Sequence, residues 1–339
     1  MTSLNLTLPT ANYTITVGKG ILSEADKYFN LNGKCFIITD DGVPMEYSET
    51  VAKLCKDVKI HTIKSGESSK SIDTLSDILK AMLDFSMTRE DTVIAIGGGV
   101  VGDISGLAAS LYMRGVKFYN VPTTLLSQLD SSIGGKTAID FCGVKNAVGA
   151  FYQPKGVLID TNTLKTLDKR QFNAGMAEAI KMALTSNESL LSFIESNEIT
   201  LSNIEHIIIE SLKIKKAVVE EDVSEAGIRK ILNFGHILGH GIEAAEGLSG
   251  LLHGECVALG MLPMCNDEVR ERLIPVQKKA GLPTVYEGDV GEALSFVTHD
   301  KKCEGGEVSV ILVEKIGSYE IKRMPLAEFS EKIKNYRWS

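Results

Sequence analysis

The run from Thr92 to Asp103 constrains this chain more than any other feature. Thr92-Val93-Ile94-Ala95-Ile96 is apolar and rich in β-branched residues, and Gly97-Gly98-Gly99-Val100-Val101-Gly102-Asp103 follows at once. Such a run predicts a strand buried on both faces that turns directly into a helix. The apolar text continues to Leu111, but three consecutive glycines and Asp103 argue against a membrane span. A strand entering a helix this abruptly is the βα unit of a parallel sheet. Glycines let a backbone approach a phosphate closely, and a helix start offers free N–H groups and partial positive charge. The spacing is not G-x-G-x-x-G, so the common dinucleotide fingerprint does not apply. A tight turn that only packs helix on strand explains the same residues at this point.

The neighbouring text agrees with an α/β N-terminal half. Lys34–Thr39 reads as a buried strand ending at Asp40-Asp41-Gly42, Ser71–Phe85 has helical spacing, and Val116–Val121 and Val157–Asp160 read as further strands. Leu4–Leu8 and Tyr13–Gly18 alternate as strands do, without the basic and apolar regions of a secretory signal. From about residue 165 amphipathic helices take over: Phe172–Thr185, Ser189–Ser196, Ile204–Glu220, Ile228–Ala245 and Gly254–Arg272, before a hairpin of Val308–Glu314 with Ser318–Arg323. The division expected is residues 1–164 as an α/β domain with a parallel sheet and 165–339 as a mostly helical domain. The lack of a flexible linker predicts tight packing around a shared cleft.

Composition excludes some partners. The formal charge of −8 leaves no basic footprint for nucleic acid. A single Trp disfavours a base- or sugar-stacking surface. The six cysteines are scattered without a Cys-x-x-Cys pair, as expected of reduced thiols in the cytoplasm. Cys256 reads as a small buried hydrophobe rather than a metal ligand.

Two stretches concentrate chemistry. Val121–Thr137 gathers hydroxyls, Gln128, Asp130, two glycines and Lys136 among apolar residues, and Lys145-Asn146 follows. Buried hydroxyls and lysines need partners, which a ligand rich in hydroxyl and phosphate groups supplies. Further on, Asn233-Phe234-Gly235-His236-Ile237-Leu238-Gly239-His240 places two imidazoles four apart on one helix face, and His253 begins another helix. That spacing suits two ligands of one metal, or one ligand and one proton-transfer group. A pair of hydrogen-bonded histidines is the plainer reading, but the glycines around them permit close helix packing. Glu178, in an apolar helix with Lys181 one turn away, is the candidate carboxylate ligand; a structural Glu–Lys pair is its alternative.

Gly97–Asp103, Pro122–Thr137, Gly175–Lys181 and Arg229–His240 with His253-Gly254-Glu255 together resemble the 3-dehydroquinate synthase family of sugar-phosphate cyclases. The resemblance runs from Gly66-Glu67-Ser68-Ser69-Lys70 to Asp300-Lys301-Lys302. It implies an N-terminal domain that binds NAD, a helical domain that carries one divalent metal (zinc or cobalt), and a homodimer. Metal ligands match Glu178, His236 and His253. Cofactor contacts match Asp40, Glu67, Ser68, Ser69, Lys70, Gly98, Gly99, Val100, Asp103, Thr123, Thr124, Lys145, Thr163, Leu164, Lys165 and Thr166. Phosphate and carboxylate contacts match Arg114, Lys136, Asn146, Lys181, Lys215, Arg229, Asn233 and one lysine of the Asp300-Lys301-Lys302 run, Lys301 or Lys302. Asp130 matches a residue that binds substrate hydroxyls, and Glu225 and His240 match proton-transfer residues. Gly241, Ile237 and Ala174 depart from the more common residues at their positions.

The activity implied is conversion of 3-deoxy-D-arabino-heptulosonate 7-phosphate to 3-dehydroquinate and phosphate, a step of the shikimate pathway to aromatic amino acids. In it NAD takes and returns a hydride, phosphate is eliminated, and an intramolecular aldol step closes the ring. A metal-dependent polyol dehydrogenase of the same fold group has no need of so many cations. Cyclases of sedoheptulose 7-phosphate or glucose 6-phosphate have no substrate carboxylate for Arg229 to meet. A catalytically dead scaffold lacks ligands or cofactor loops, and here those positions are filled. No membrane or nucleic-acid partner is expected.

Overall fold

The structure, a computed structural model, describes residues 1–247, 250–298, 303–304 and 306–338. The chain divides into two compact units. One comprises Met1–Leu167 with Ile204–Ile209, the other Asp168–Asn203 with Glu210–Ser339. Among the described residues no helix is long and apolar enough to cross a membrane.

The first unit is built on a seven-stranded sheet. Its strands are β1 (Thr2–Thr7), β2 (Asn12–Gly18), β3 (Lys34–Asp40), β4 (Asp57–Ile63), β5 (Thr92–Gly97), β6 (Lys117–Pro122) and, after the hairpin described below, β9 (Gly156–Asp160). They lie in the order β1-β2-β9-β6-β5-β3-β4, and only β1 against β2 is antiparallel. Every residue of β5 is buried, as its unbroken apolar text requires. Successive side chains alternate between faces. Phe36, Ile38, Val93 and Ala95 therefore pack with α2 (Ile72–Asp84) and α3 (Gly99–Leu111), while Ile37, Ile94, Ile96 and Leu158 pack on the other face, which α1 (Met45–Ala52) reaches through Val51. Ser71 caps α2 by accepting the Thr74 N–H at 3.2 Å.

The chain steps outward from β3 to β4, then returns across β3 to β5. The reversal of strand order therefore lies between β3 and β5, the place where open α/β sheets bind ligands at their carboxyl ends. Asp40 and Gly97 are the last residues of those two strands.

A hairpin of β7 (Lys136–Phe141) and β8 (Val144–Phe151) was not legible in the sequence. Most of β8 is exposed on both faces, so it lacks the alternation that marks a half-buried strand.

The second unit holds α4 (Lys169–Ser186), α5 (Glu188–Ser196), most of α6 (Ile204–Glu221), α7 (His236–Glu246), α8 (His253–Met261), α9 (Asp267–Lys279) and α10 (Val290–Thr298). A three-stranded antiparallel sheet of β10 (Cys303–Glu304), β11 (Glu307–Leu312) and β12 (Glu320–Pro325) precedes α11 (Leu326–Lys334).

Two long helices expected from periodicity are broken. Residues 228–245 form a short 3-10 turn over Ile228–Asn233, then α7. The break is at Gly235, whose φ of 77° is left-handed and whose Cβ, if present, would lie 2.7 Å from the Val257 carbonyl oxygen. Residues 254–272 divide into α8 and α9, with a 3-10 turn at Leu262–Met264 between them and Asn266 capping α9 through the Val269 N–H. Apolar spacing runs on through both breaks, which is why periodicity alone joined the pieces.

Glycines set the spacing of the site-bearing helices. A Cβ on Gly260 of α8 would lie 2.0 Å from the Gly235 carbonyl oxygen, and one on Gly254 would lie 2.0 Å from that of Ala174 on α4. The helices α4, α7 and α8 thus meet backbone to backbone.

Candidate active site

The close helices of the second unit bring Glu178, His236, His240 and His253 together. His236 and His253 are the first residues of α7 and α8, and Glu178 lies in the buried middle of α4. Ring nitrogens of the three histidines fall within 4.8 Å of one another. Glu178 Oε1 is 3.7 Å from His236 Nε2 and 3.9 Å from His253 Nε2. Each of those two rings is also held at its far nitrogen: His236 Nδ1 lies 3.1 Å from the Phe234 carbonyl oxygen, and His253 Nδ1 lies 3.1 Å from Glu243 Oε2. A proton on Nδ1 satisfies these acceptors and leaves the Nε2 lone pairs facing Glu178. Burial opposes a charge on His253, but Glu243 and Glu178 outweigh it, so its pKa is raised above the ordinary 6.5.

Glu178 is 1% exposed. Its carboxylate forms an ion pair with Lys181 Nζ, yet neither oxygen accepts a hydrogen bond of good geometry. Lys181 pairs with Oε2, whereas the buried Oε1 faces the two imidazole nitrogens and accepts no hydrogen bond, an arrangement that a cation between them would stabilise. One carboxylate and imidazole nitrogens are a donor set suited to a divalent metal such as zinc.

The same unit carries the candidate anion-binding cations, of which Lys181 touches the cluster through Glu178. Lys181, Lys215 and Arg229 are all buried. Lys181 Nζ donates to the Leu232 carbonyl at 2.7 Å, and Arg229 Nη1 donates to that of Val223 at 2.6 Å. Asp222 organises the loop before Arg229 by accepting the Gly227 N–H at 2.7 Å and the Arg229 N–H at 3.1 Å. Asn233 donates through Nδ2 to Glu225 Oε1 at 2.7 Å. Arginine and lysine are the side chains that recognise carboxylate and phosphate groups, which is the chemistry this set of residues offers.

Three contributors are absent from the sequence-based expectations: Glu243, Asp222 and Arg170. Glu243 had a signal, three residues after His240 and seven after His236 on one helix. Arg170 of α4 grips Glu255 of α8 through two bonds of 2.8 and 2.7 Å, and Glu255 also accepts the Leu252 N–H at 2.7 Å. This clamp ties the helix of Glu178 to the start of the helix of His253. Cys256 is buried, as expected of a small hydrophobe.

In the first unit, the candidate cofactor residues gather at the carboxyl ends of the parallel strands. The first turn of α3 has no side-chain cap, so its N–H groups are available to an anion. Gly98 and Gly99 pass so close to Thr124 and Ser131 that a Cβ would stand 3.0 and 3.2 Å from them. Val100 is in that first turn, and Thr123 bonds its N–H to the Gly97 carbonyl at 2.9 Å. Asp40 accepts the Gly42 N–H at 2.9 Å, and burial raises its pKa.

Lys70 is buried beside Glu67, Asp103 and Asn146: Nζ lies 2.9 Å from Asp103 Oδ2 and 3.5 Å from Glu67 Oε1, and it donates to the Asn146 amide oxygen. These carboxylates outweigh the burial that would lower its pKa, which is raised. Ser69 is buried and donates to the Lys64 carbonyl at 2.6 Å, while Ser68 is exposed. Thr163 uses its hydroxyl internally, donating to the Asp160 carbonyl at 2.8 Å and accepting from Gln128 Nε2 at 3.0 Å. Leu164 is buried, Lys165 is exposed, and the Thr166 hydroxyl meets that of Tyr47 at 2.7 Å.

Lys136 opens β7, Lys145 and Asn146 lie on the exposed start of β8, and Asp130 is half-buried in the turn at Ser127–Ser131. Arg114 is exposed, with a left-handed φ of 67°. Lys302 lies outside the described residues.

The fold is that of the sugar-phosphate cyclases. A structure of 2-deoxy-scyllo-inosose synthase with carbaglucose-6-phosphate, NAD+ and Co2+ superposes with a TM-score of 0.87, at 24% identity over 98% of this chain and 99% of that one. The 2-epi-5-epi-valiolone synthase of Streptomyces hygroscopicus subsp. jinggangensis, with NAD+ and Zn2+, gives 0.86, at 27% identity over 97% of each chain. The family descriptions "3-dehydroquinate synthase N-terminal" and "3-dehydroquinate synthase C-terminal" match residues 60–174 and 175–303. A 3-dehydroquinate synthase of Streptococcus suis is 39% identical, over 97% of this chain and 98% of its own. The chain belongs to the 3-dehydroquinate synthase family, and it is an enzyme.

Proposed function

We propose that this enzyme converts 3-deoxy-D-arabino-heptulosonate 7-phosphate to 3-dehydroquinate and phosphate, with NAD on the first unit and one divalent metal, zinc or cobalt, on the second. The observation that carries the metal assignment is Glu178: a buried carboxylate whose Oε1 faces two imidazole Nε2 atoms at 3.7 and 3.9 Å, in a chain related along its length to the family. Glu178, His236 and His253 are the proposed ligands. When bound, NAD supplies a reversible hydride acceptor and the metal a Lewis acid toward substrate hydroxyls.

The chain's own residues do the rest. Glycines 98 and 99 and the start of α3 hold the cofactor's phosphates, and Asp40 at the strand-order reversal accepts from a ribose hydroxyl. Glu67, Ser68, Ser69, Lys70, Val100, Asp103, Thr123, Thr124, Lys145 and Thr163–Thr166 complete that proposed surface. Arg229 offers a planar fork to the substrate carboxylate, fixed in place by Val223 and Asp222. Lys181, Lys215 and Asn233 hold neighbouring oxygens, and Asp130 accepts from substrate hydroxyls. Arg114, Lys136, Asn146 and Lys302 meet the phosphate. Glu225, fixed by Asn233, and His240, beside the two ligand rings, hold and move hydroxyl protons. The reading includes a cytoplasmic homodimer.

The test starts from chelator-treated protein given NAD, zinc and the heptulosonate phosphate. Phosphate and 3-dehydroquinate should appear together, without net NADH. Glu178→Gln should lower zinc-dependent turnover at least 100-fold, by loss of the charged ligand. Phosphate release from sedoheptulose 7-phosphate alone, or net NADH from simple polyols, would overturn the substrate assignment.

A further inference from the structure

We propose that Glu243 is a positioning residue that sets the metal affinity of this enzyme by fixing the ring of His253. The inference rests on the metal reading above and extends it to a residue with no assigned role.

The two proposed imidazole ligands are oriented by different means. His236 Nδ1 faces a main-chain oxygen, that of Phe234, at 3.1 Å. That acceptor belongs to the turn leading into α7, and no side-chain substitution removes it. His253 Nδ1 faces a side chain, Glu243 Oε2, also at 3.1 Å. Glu243 lies on α7, whereas His253 opens α8. The bond therefore joins the two ring-bearing helices at the level of the site.

The restraint matters more for His253 than for its neighbour. The His253 side chain is 33% exposed, against 11% for His236. Packing therefore holds the His236 ring more closely, and His253 depends more on its hydrogen bond. With Nδ1 protonated and donating to Glu243, Nε2 carries the lone pair and points to the side of Glu178, 3.9 Å from Oε1. Without the acceptor, the ring can rotate or take the other tautomer, and either change withdraws the lone pair. Outer carboxylates that hold metal-ligating histidines this way typically contribute 10- to 100-fold in metal affinity.

Zinc affinity of purified full-length protein, measured by competition with a chromophoric chelator, tests this. Thermal unfolding of each variant provides the control for folding. Glu243→Ala should bind zinc about 10- to 100-fold more weakly, and turnover should recover as zinc is raised. Glu243→Gln has the same shape and keeps a neutral acceptor, so its loss should be smaller. In the zinc-loaded wild type, nitrogen NMR of His253 should show a protonated Nδ1; in Glu243→Ala that signal should broaden or exchange away. Zinc affinity of Glu243→Ala within twofold of wild type, in folded protein, would overturn the inference and leave the metal reading standing. Failure of the wild type itself to bind one equivalent of zinc would overturn both.

Discussion

Replacing Gly254 by Ala tests whether helix spacing sets the geometry of the site. Gly254 follows His253 on α8, and an added Cβ would lie 2.0 Å from the Ala174 carbonyl oxygen and 2.6 Å from its carbon. Side-chain carbons essentially never approach such atoms within 3.0 Å, so the two backbones must separate by at least 3.0 − 2.0 = 1.0 Å. Both are main chain, so no rotamer change relieves the clash. Glu178 lies one turn beyond Ala174 on α4, and His253 precedes the substituted residue. The displacement thus falls on the two helices that carry proposed ligands. A misplacement of about 1 Å costs roughly 100-fold in rate. Overpacking costs about 1–3 kcal/mol, and each kcal/mol lowers the melting temperature by roughly 2–4 °C in a unit of this size. The assay is turnover at saturating zinc and substrate, with thermal unfolding in parallel. Turnover within threefold of wild type and an unchanged melting temperature would refute the argument that backbone contact fixes this site.

Two further substitutions probe the supports. Arg170→Ala removes the clamp on Glu255, which is 9% exposed; because Arg170 is itself half-exposed, the expected loss is about 1–2 kcal/mol, read from the urea midpoint, together with weaker zinc binding. Asp91 accepts the Thr88 N–H at 2.6 Å and the Lys34 N–H at 2.8 Å. Burial pushes its pKa up, but these bonds outweigh it and leave it below the ordinary 3.8. A depressed carboxylate contributes stability above its unfolded pKa and loses it as pH falls through the folded value. Asp91→Asn should therefore cost about 1–2 kcal/mol at pH 7, with the gap to wild type closing below about pH 4 in urea titrations.

Much of the fold and site was legible because single residue types carried the signal. The apolar run into Gly97–Gly99 gave the βα unit, and His236, His240, His253 and Glu178 stood out as polar residues in apolar helices. What stayed hidden depends on contacts between segments. The helix breaks at Gly235, whose φ of 77° is left-handed and whose place Val257 and Met261 leave no room to fill with a side chain, facts that 3.6-residue periodicity does not contain. The β7–β8 hairpin carries no burial pattern to read. Lys70 and Asn146, expected to serve different ligands, are bonded to each other, a pairing across 76 positions that no local spacing announces. Glu243 was visible on the histidine face, but its partner ring begins a different helix.

Both His236 and His253 sit in the first turn of their helices, and their ring centroids are 5.3 Å apart. Two helix starts therefore converge, each equivalent to about half a positive charge. The chain as a whole carries −8. Its far field repels an anionic sugar phosphate, whereas on the proposed reading the near field at these helix ends and at Lys181, Lys215 and Arg229 attracts it. Encounter is thus opposed over distances of a Debye length and favoured only at close range. On that reading, discrimination among anions falls to the fit of the last few ångströms rather than to long-range steering.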